Sequence, residues 1–171
     1  SPSYMGPLSR DQKNVRETLG GYDLMIVLGS DPLRMSVYSE VDPLPAGLSM
    51  VQVGLVDWDI GKNYPVDIAL KADVKETLLA LIPALKSAGG KALETRARDG
   101  LAKLKANNWT TRRARLVEEI TKAGGKTPIN PDWLALKVIE AMPDNAILVD
   151  EGLTSSRAIP ALRAHRDRYG Y

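Results

Sequence analysis

The chain contains no cysteine, no phenylalanine and a single histidine, His165. Without cysteine there is neither a disulfide nor a thiolate-bound metal. One histidine leaves too little for a His-based zinc site or a Ser-His-Asp triad. No stretch of eighteen or more apolar residues is present, and the amino terminus lacks a secretory-leader pattern, so a soluble, cytoplasmic chain without a membrane partner is expected. Phosphate-binding glycine signatures are missing too: there is no G-x-G-x-x-G. "SAGGKA" at 87–92 and "AGGKTP" at 123–128 are too short for a phosphate loop, and both read as helix C-caps. With phenylalanine absent, the core falls to Leu, Ile, Val, Ala and Met with a few Trp and Tyr.

What is present is globular in composition: 44% hydrophobic and 26% charged over 171 residues. That length holds one sizeable core, or a small domain and part of another. The net charge of +2 hides an asymmetry: residues 86–126 hold eleven Lys or Arg against four acids. A basic stretch can mark a nucleic-acid partner. Here the helical spacing and the lone aromatic, Trp109, favour a solvated helical connector, and no nucleic acid is expected.

Three apolar runs organise the first half. "YDLMIVLGS" (22–30) reads as a strand buried in a parallel sheet, after a helix capped by Ser9 that carries Val15 and Leu19 on one face. "LSMVQVGLVD" (48–57) and "VDIALKAD" (66–73) are the next strands, with too few residues between them for an ordinary crossover helix. Asp73 then caps "VKETLLALIPAL", which Pro83 should bend or end. Farther on, Asn130 with Pro131 at the first helical position opens "PDWLALKVIEAM". "AILVD" (146–150) reads as a buried strand, "EGLTSS" as the loop at its carboxyl end, and "SRAIPALRAHRDR" as a helix blemished by Pro160.

The order of "YDLMIVLGSDPLR", "LSMVQVGLVDWDIGKNYPVDIALKADVKETLLALI" and "INPDWLALKVIEAMPDNAILVDEGLTSS" resembles thiamine diphosphate-dependent enzymes, nearest the benzoylformate decarboxylase and acetolactate synthase-like members. Asp57, Ile60, Gly61 and Lys62 imitate the segment joining the last two strands of that family's central domain. The resemblance implies an α/β fold in three parts. Residues 1–88 would be the second half of a Rossmann-like central domain and 89–127 a basic helical linker. Residues 128–171 would be the first helix-strand-helix of the cofactor-binding PP domain, whose remainder is expected beyond these 171 residues. It also implies thiamine diphosphate and Mg²⁺ in the parent enzyme, with neither expected on this chain alone. The implied substrate is a 2-oxo acid that is decarboxylated or ligated, and the implied assembly a homo-dimer or homo-tetramer. The family's Gly-Asp-Gly segment does not occur here, and Glu151 is not its activating glutamate. No catalytic residue is therefore assigned, and the isolated chain is expected to be inactive.

One loop carries a binding expectation. Ligands in open α/β sheets bind outside the carboxyl ends of strands, and glycine with hydroxyl residues can hold a phosphate at a helix N-terminus. By resemblance, Gly152, Leu153 and Thr154 face the cofactor diphosphate, Leu153 through its backbone; a plain helix cap is the alternative. "GSDPLR" (29–34) could touch an adenine nucleotide but reads first as a structural turn. Asp57 and Asp59 read as turn caps rather than metal ligands. His165 has no identifiable catalytic partner. The competing function is a non-catalytic half-Rossmann module for nucleotide binding or oligomerisation.

Overall fold

The structure is a computed structural model that describes residues 1–36 and 38–164. His165, with the end of the expected last helix, lies outside them. The chain divides into two compact units, Leu8–Thr95 and Ser1–Pro7 with the chain from Arg96 onward.

In the unit of residues 8–95, helix α1 (Gln12–Leu19) starts at Asp11, whose Oδ1 accepts from Asn14 N–H at 3.0 Å. The cap therefore lies two residues after the expected Ser9, whose hydroxyl instead accepts from Asp11 N–H at 3.1 Å. A carboxylate is the stronger acceptor for the orphan amides of a first turn. Val15 and Leu19 are buried against Leu33, with Met25, Leu44 and Tyr64 around them.

Strands β1 (Leu24–Leu28), β2 (Ser49–Gly54) and β3 (Ile68–Lys71) form a parallel sheet in that order. Leu28 pairs with Val53, which pairs with Leu70. This is an α/β, Rossmann-like arrangement, as the continuous apolar runs suggest. Residues 55–67 join β2 to β3 through one turn of 3-10 helix, Asp57–Asp59, in place of a crossover helix. On one sheet face Leu24, Ile26, Leu28, Ile68 and Leu70 remain exposed among the described residues. This corrects the expectation that the 22–30 run is buried on both faces: no described element covers that face of the sheet.

Helix α2 (Val74–Lys105) begins where expected: Asp73 Oδ1 accepts from Glu76 N–H at 3.0 Å. It does not end at Pro83. Proline removes the bond to the carbonyl four residues earlier, here that of Leu79, a residue on an exposed part of the helix. The break comes instead at Gly90, at φ 50° and ψ −148°, a backbone state that glycine alone adopts readily.

The other unit is helical in its described residues. Helix α3 (Trp109–Ala123) is capped by the buried Asn108, whose Oδ1 accepts from Thr111 N–H at 3.0 Å. Asn108 Nδ2 also donates to Pro2 O at 3.1 Å, and Trp109 N–H to Tyr4 O at 2.9 Å, which fixes the amino-terminal arm. Helix α4 (Pro131–Ala141) follows Asn130, whose Oδ1 accepts from Asp132 and Trp133 N–H, as its Asn-Pro start implies. Ile120, Ala135, Leu136, Ala158 and Leu162 form this unit's core.

Two expectations are corrected here. Residues 146–150 are not a strand, and Ile147 and Val149 are 70% and 80% exposed. A strand exists through its neighbours' hydrogen bonds, and no strand lies beside this segment among the described residues. The helix expected from Ser156 is, where described, the single turn α5 (Ile159–Leu162). Pro160 sits in that first turn, where its missing N–H costs nothing.

Candidate functional site

The carboxyl ends of the three strands frame a crevice of about 310 Å³. Gly29 closes β1 at φ 68°, and its N–H donates to Val53 O at 2.8 Å. Gly54, Leu55 and Val56 leave β2, while Asp73 and Val74 start α2 on the far side.

Gln52 organises this end of the sheet. It is 2% exposed, between Val51 and Val53 in the middle of β2. Its Nε2 donates to Ser30 O at 3.3 Å and Asp59 O at 3.2 Å, and its Oε1 accepts from Gly61 N–H at 2.9 Å. One side chain thus pins the loop after β1 and the carboxyl end of the 3-10 turn after β2. Burying an amide this deeply is tolerable only because each of these groups is paired. Sequence reasoning missed this residue; the signal available was one polar side chain inside "MVQVG".

The surrounding charges are accounted for locally. Asp57 Oδ2 accepts from Lys71 Nζ at 2.7 Å, a bond that holds its carboxyl below the usual 3.8. Lys62 Nζ lies 3.7 Å from the centre of the Trp58 ring, a cation–π contact. Burial, then the charges of Asp42 and Asp31, push the Tyr64 phenol upward. Among the described residues no group of three His, Cys, Asp or Glu is set to hold a metal. The crevice walls offer backbone from the Gly29–Ser30 turn and the carboxylates of Asp59 and Asp73, with no histidine, cysteine or lysine. This set can bind; it has no nucleophile paired with a base.

Gly152, Leu153 and Thr154 lie in the other unit, on an exposed loop. Gly152 N–H donates to Asp150 Oδ1 at 2.8 Å, and a Cβ on Gly152 would collide with the Ser156 side chain. Leu153 is 89% exposed. The hydroxyls here do not cap α5, whose N-cap is Ala158 with no side-chain bond.

Residues 1–81 match the family model described as thiamine pyrophosphate enzyme, central domain. Over this stretch, 81 of the 171 residues, the sequence is similar to that central domain. The match spans all three strands and the start of α2, so the crevice lies within the central domain. No curated protein and no solved structure matches the chain. The central domain ties the sequence to thiamine diphosphate-dependent enzymes, and its crevice does not fit that cofactor's diphosphate. Asp59 and Asp73 would repel the phosphates, and the walls carry no cation to offset them. In the 152–154 loop the space beside Gly152 is taken by the Ser156 side chain, and the three residues offer backbone and the Thr154 hydroxyl but no charge of the sign a diphosphate needs.

Among the described residues no helix is long and apolar enough to cross a membrane.

Proposed function

We propose that this sequence is part of a thiamine diphosphate-dependent enzyme that decarboxylates or ligates a 2-oxo acid, in the manner of benzoylformate decarboxylase. Residues 1–88 serve as scaffold, 89–127 as linker, and 128–171 as the opening of the cofactor-binding domain. In this reading Gly152, Leu153 and Thr154 form one edge of the diphosphate pocket, with Mg²⁺ held by residues beyond this sequence, in a homo-dimer or homo-tetramer in the cytoplasm. The bound cofactor supplies the electron sink that lets CO₂ leave a 2-oxo acid. What this chain contributes is position. The observation that carries the reading is the central-domain sheet whose carboxyl edge is locked by Gln52 and bears no acid–base pair, as suits a scaffold.

The test is CO₂ release from benzoylformate and from pyruvate by the protein purified from its own cell, with and without added thiamine diphosphate and Mg²⁺. Cofactor-dependent release by that protein, and none by the 171-residue chain, is expected. Release by the 171-residue chain alone, or no cofactor dependence in the native protein, would sink the proposal.

The crevice favours one alternative, a non-catalytic module that binds a nucleotide through its sugar. Carboxylates such as Asp59 and Asp73 accept from ribose hydroxyls. An adenosine-induced rise in melting temperature, with none from thiamine diphosphate in the native protein, is the outcome that would put this alternative first.

A further inference from the structure

A second cavity, of about 380 Å³, lies wholly within the unit built from the amino-terminal arm and the chain after Arg96. Its size is that of a small-ligand pocket. Trp109, Arg112, Arg113 and Leu116 recur at i, i+3, i+4 and i+7 and so share one face of α3. Met5 and Gly6 of the arm and Pro160 of α5 complete the walls.

Two features give the pocket a chemistry. The first is an ordered apolar floor. Trp109 Nε1 donates to Pro160 O at 3.2 Å, which holds the indole in place. Gly6 has φ 86°, a state that favours glycine, and a Cβ there would press on Trp109 Cδ1 at 3.1 Å, so a side chain at this position would strain the arm and push on the ring. The second is charge of one sign. Arg112, Arg113 and Arg157 line the pocket, and no acid does. No ion pair joins any of the three to a carboxylate among the described residues. Arg113 is oriented from below, its Nε donating to Leu162 O at 2.6 Å, which leaves the two terminal nitrogens for something else. A cleft lined by cations against low-dielectric walls concentrates anions, and guanidinium groups match a carboxylate with paired hydrogen bonds.

We propose that this pocket binds a small carboxylate with an aromatic or branched apolar body, its ring against Trp109 and its carboxylate between Arg112 and Arg157. The site is separate from the Gly152 loop and from the crevice at the sheet edge, and it stands whether or not the cofactor reading does.

The experiment uses the full 171-residue chain with 2-naphthoate and its neutral analogue 2-naphthamide as probes. Titration calorimetry gives affinity, and the Trp109 indole N–H resonance in nitrogen-15 spectra reports the place. Naphthoate is expected to shift the Trp109 resonance and to bind about tenfold or more tightly than naphthamide, the effect of charge-assisted hydrogen bonds. In the double variant Arg112→Gln/Arg157→Gln, naphthoate affinity should fall by about the same factor while naphthamide affinity holds. Both arginines are exposed, and an unchanged melting temperature checks that the variant is folded. Equal affinity for the two probes overturns the proposal. So does naphthoate binding that is unchanged in the double variant or that leaves the Trp109 resonance in place.

Discussion

Lys71 Nζ donates to Asp57 Oδ2 at 2.7 Å, joining the last residue of β3 to the first of the 3-10 turn that follows β2. The two residues are 14 apart in sequence, and each side chain is more than half exposed. The bond closes the β2–β3 connection from outside, as Gln52 does from within.

Its pH dependence has a definite sign. The Lys71 hydrogen bond lowers the Asp57 pKa in the folded protein below the usual 3.8. The carboxylate therefore contributes stability above that value, and the contribution is lost as pH falls through the lower folded pKa. Because the pair is exposed, the effect is small. Melting temperatures of the wild type and Asp57→Asn should differ at pH 7 and converge below the usual carboxylate range. A gap between the two that stays constant from pH 7 to pH 2.5 (about one unit below the carboxylate value) would show that the bond is not responsible.

Gln52→Leu keeps the side chain's bulk and removes its three hydrogen bonds. The Gly61 N–H and the Ser30 and Asp59 carbonyls then lose their partners, at a cost of about 1–3 kcal/mol in urea unfolding of the full chain. A loss under about 0.5 kcal/mol, the scale of an ordinary surface change, would mean that water replaces the amide there.

Asn108→Ala removes both the cap of α3 and the bond to Pro2. The expected loss is about 1–2 kcal/mol, with faster amide exchange at Thr111. Asn108→Ser should recover part of the stability through its own hydroxyl cap while leaving the arm loose. Identical stability for Ala and Ser would remove the cap from the explanation.

Gly152→Ala brings a methyl group into the Ser156 side chain. If residues 152–154 edge the diphosphate pocket, the native protein should need roughly fivefold more thiamine diphosphate for half-activity, the equivalent of about 1 kcal/mol of loop displacement. Ser156→Gly in the same chain should reverse the change. Full cofactor affinity in Gly152→Ala would take this loop out of the pocket.

The readable parts of this molecule were those decided by short-range chemistry. The three apolar runs became the three strands, and Asp73 and Asn130 capped the helices their positions implied. What could not be read depended on distant partners. "AILVD" has a strand's composition, yet no neighbouring strand accepts its backbone bonds among the described residues. Gln52 matters through Ser30, Asp59 and Gly61, 22, 7 and 9 residues away, and a single polar letter does not name its partners. The arginine-lined pocket escaped for the same reason. Trp109 and the arginines of α3 were visible as a basic helical stretch, while the arm and Pro160 that close the pocket lie far off in sequence.

β1 has consequences for anyone who handles this protein. It is paired on one side only among the described residues, and its five residues, Leu-Met-Ile-Val-Leu, carry no charge. An uncharged strand with free N–H and C=O groups along one edge is a template on which another strand can dock. The protein's behaviour in the tube should therefore depend on how much of it is there, and concentrated samples should scatter light before dilute ones do. A lysine at Ile26, whose side chain is already 48% exposed, would make the stock solution better behaved without reaching Gln52 or the crevice it braces.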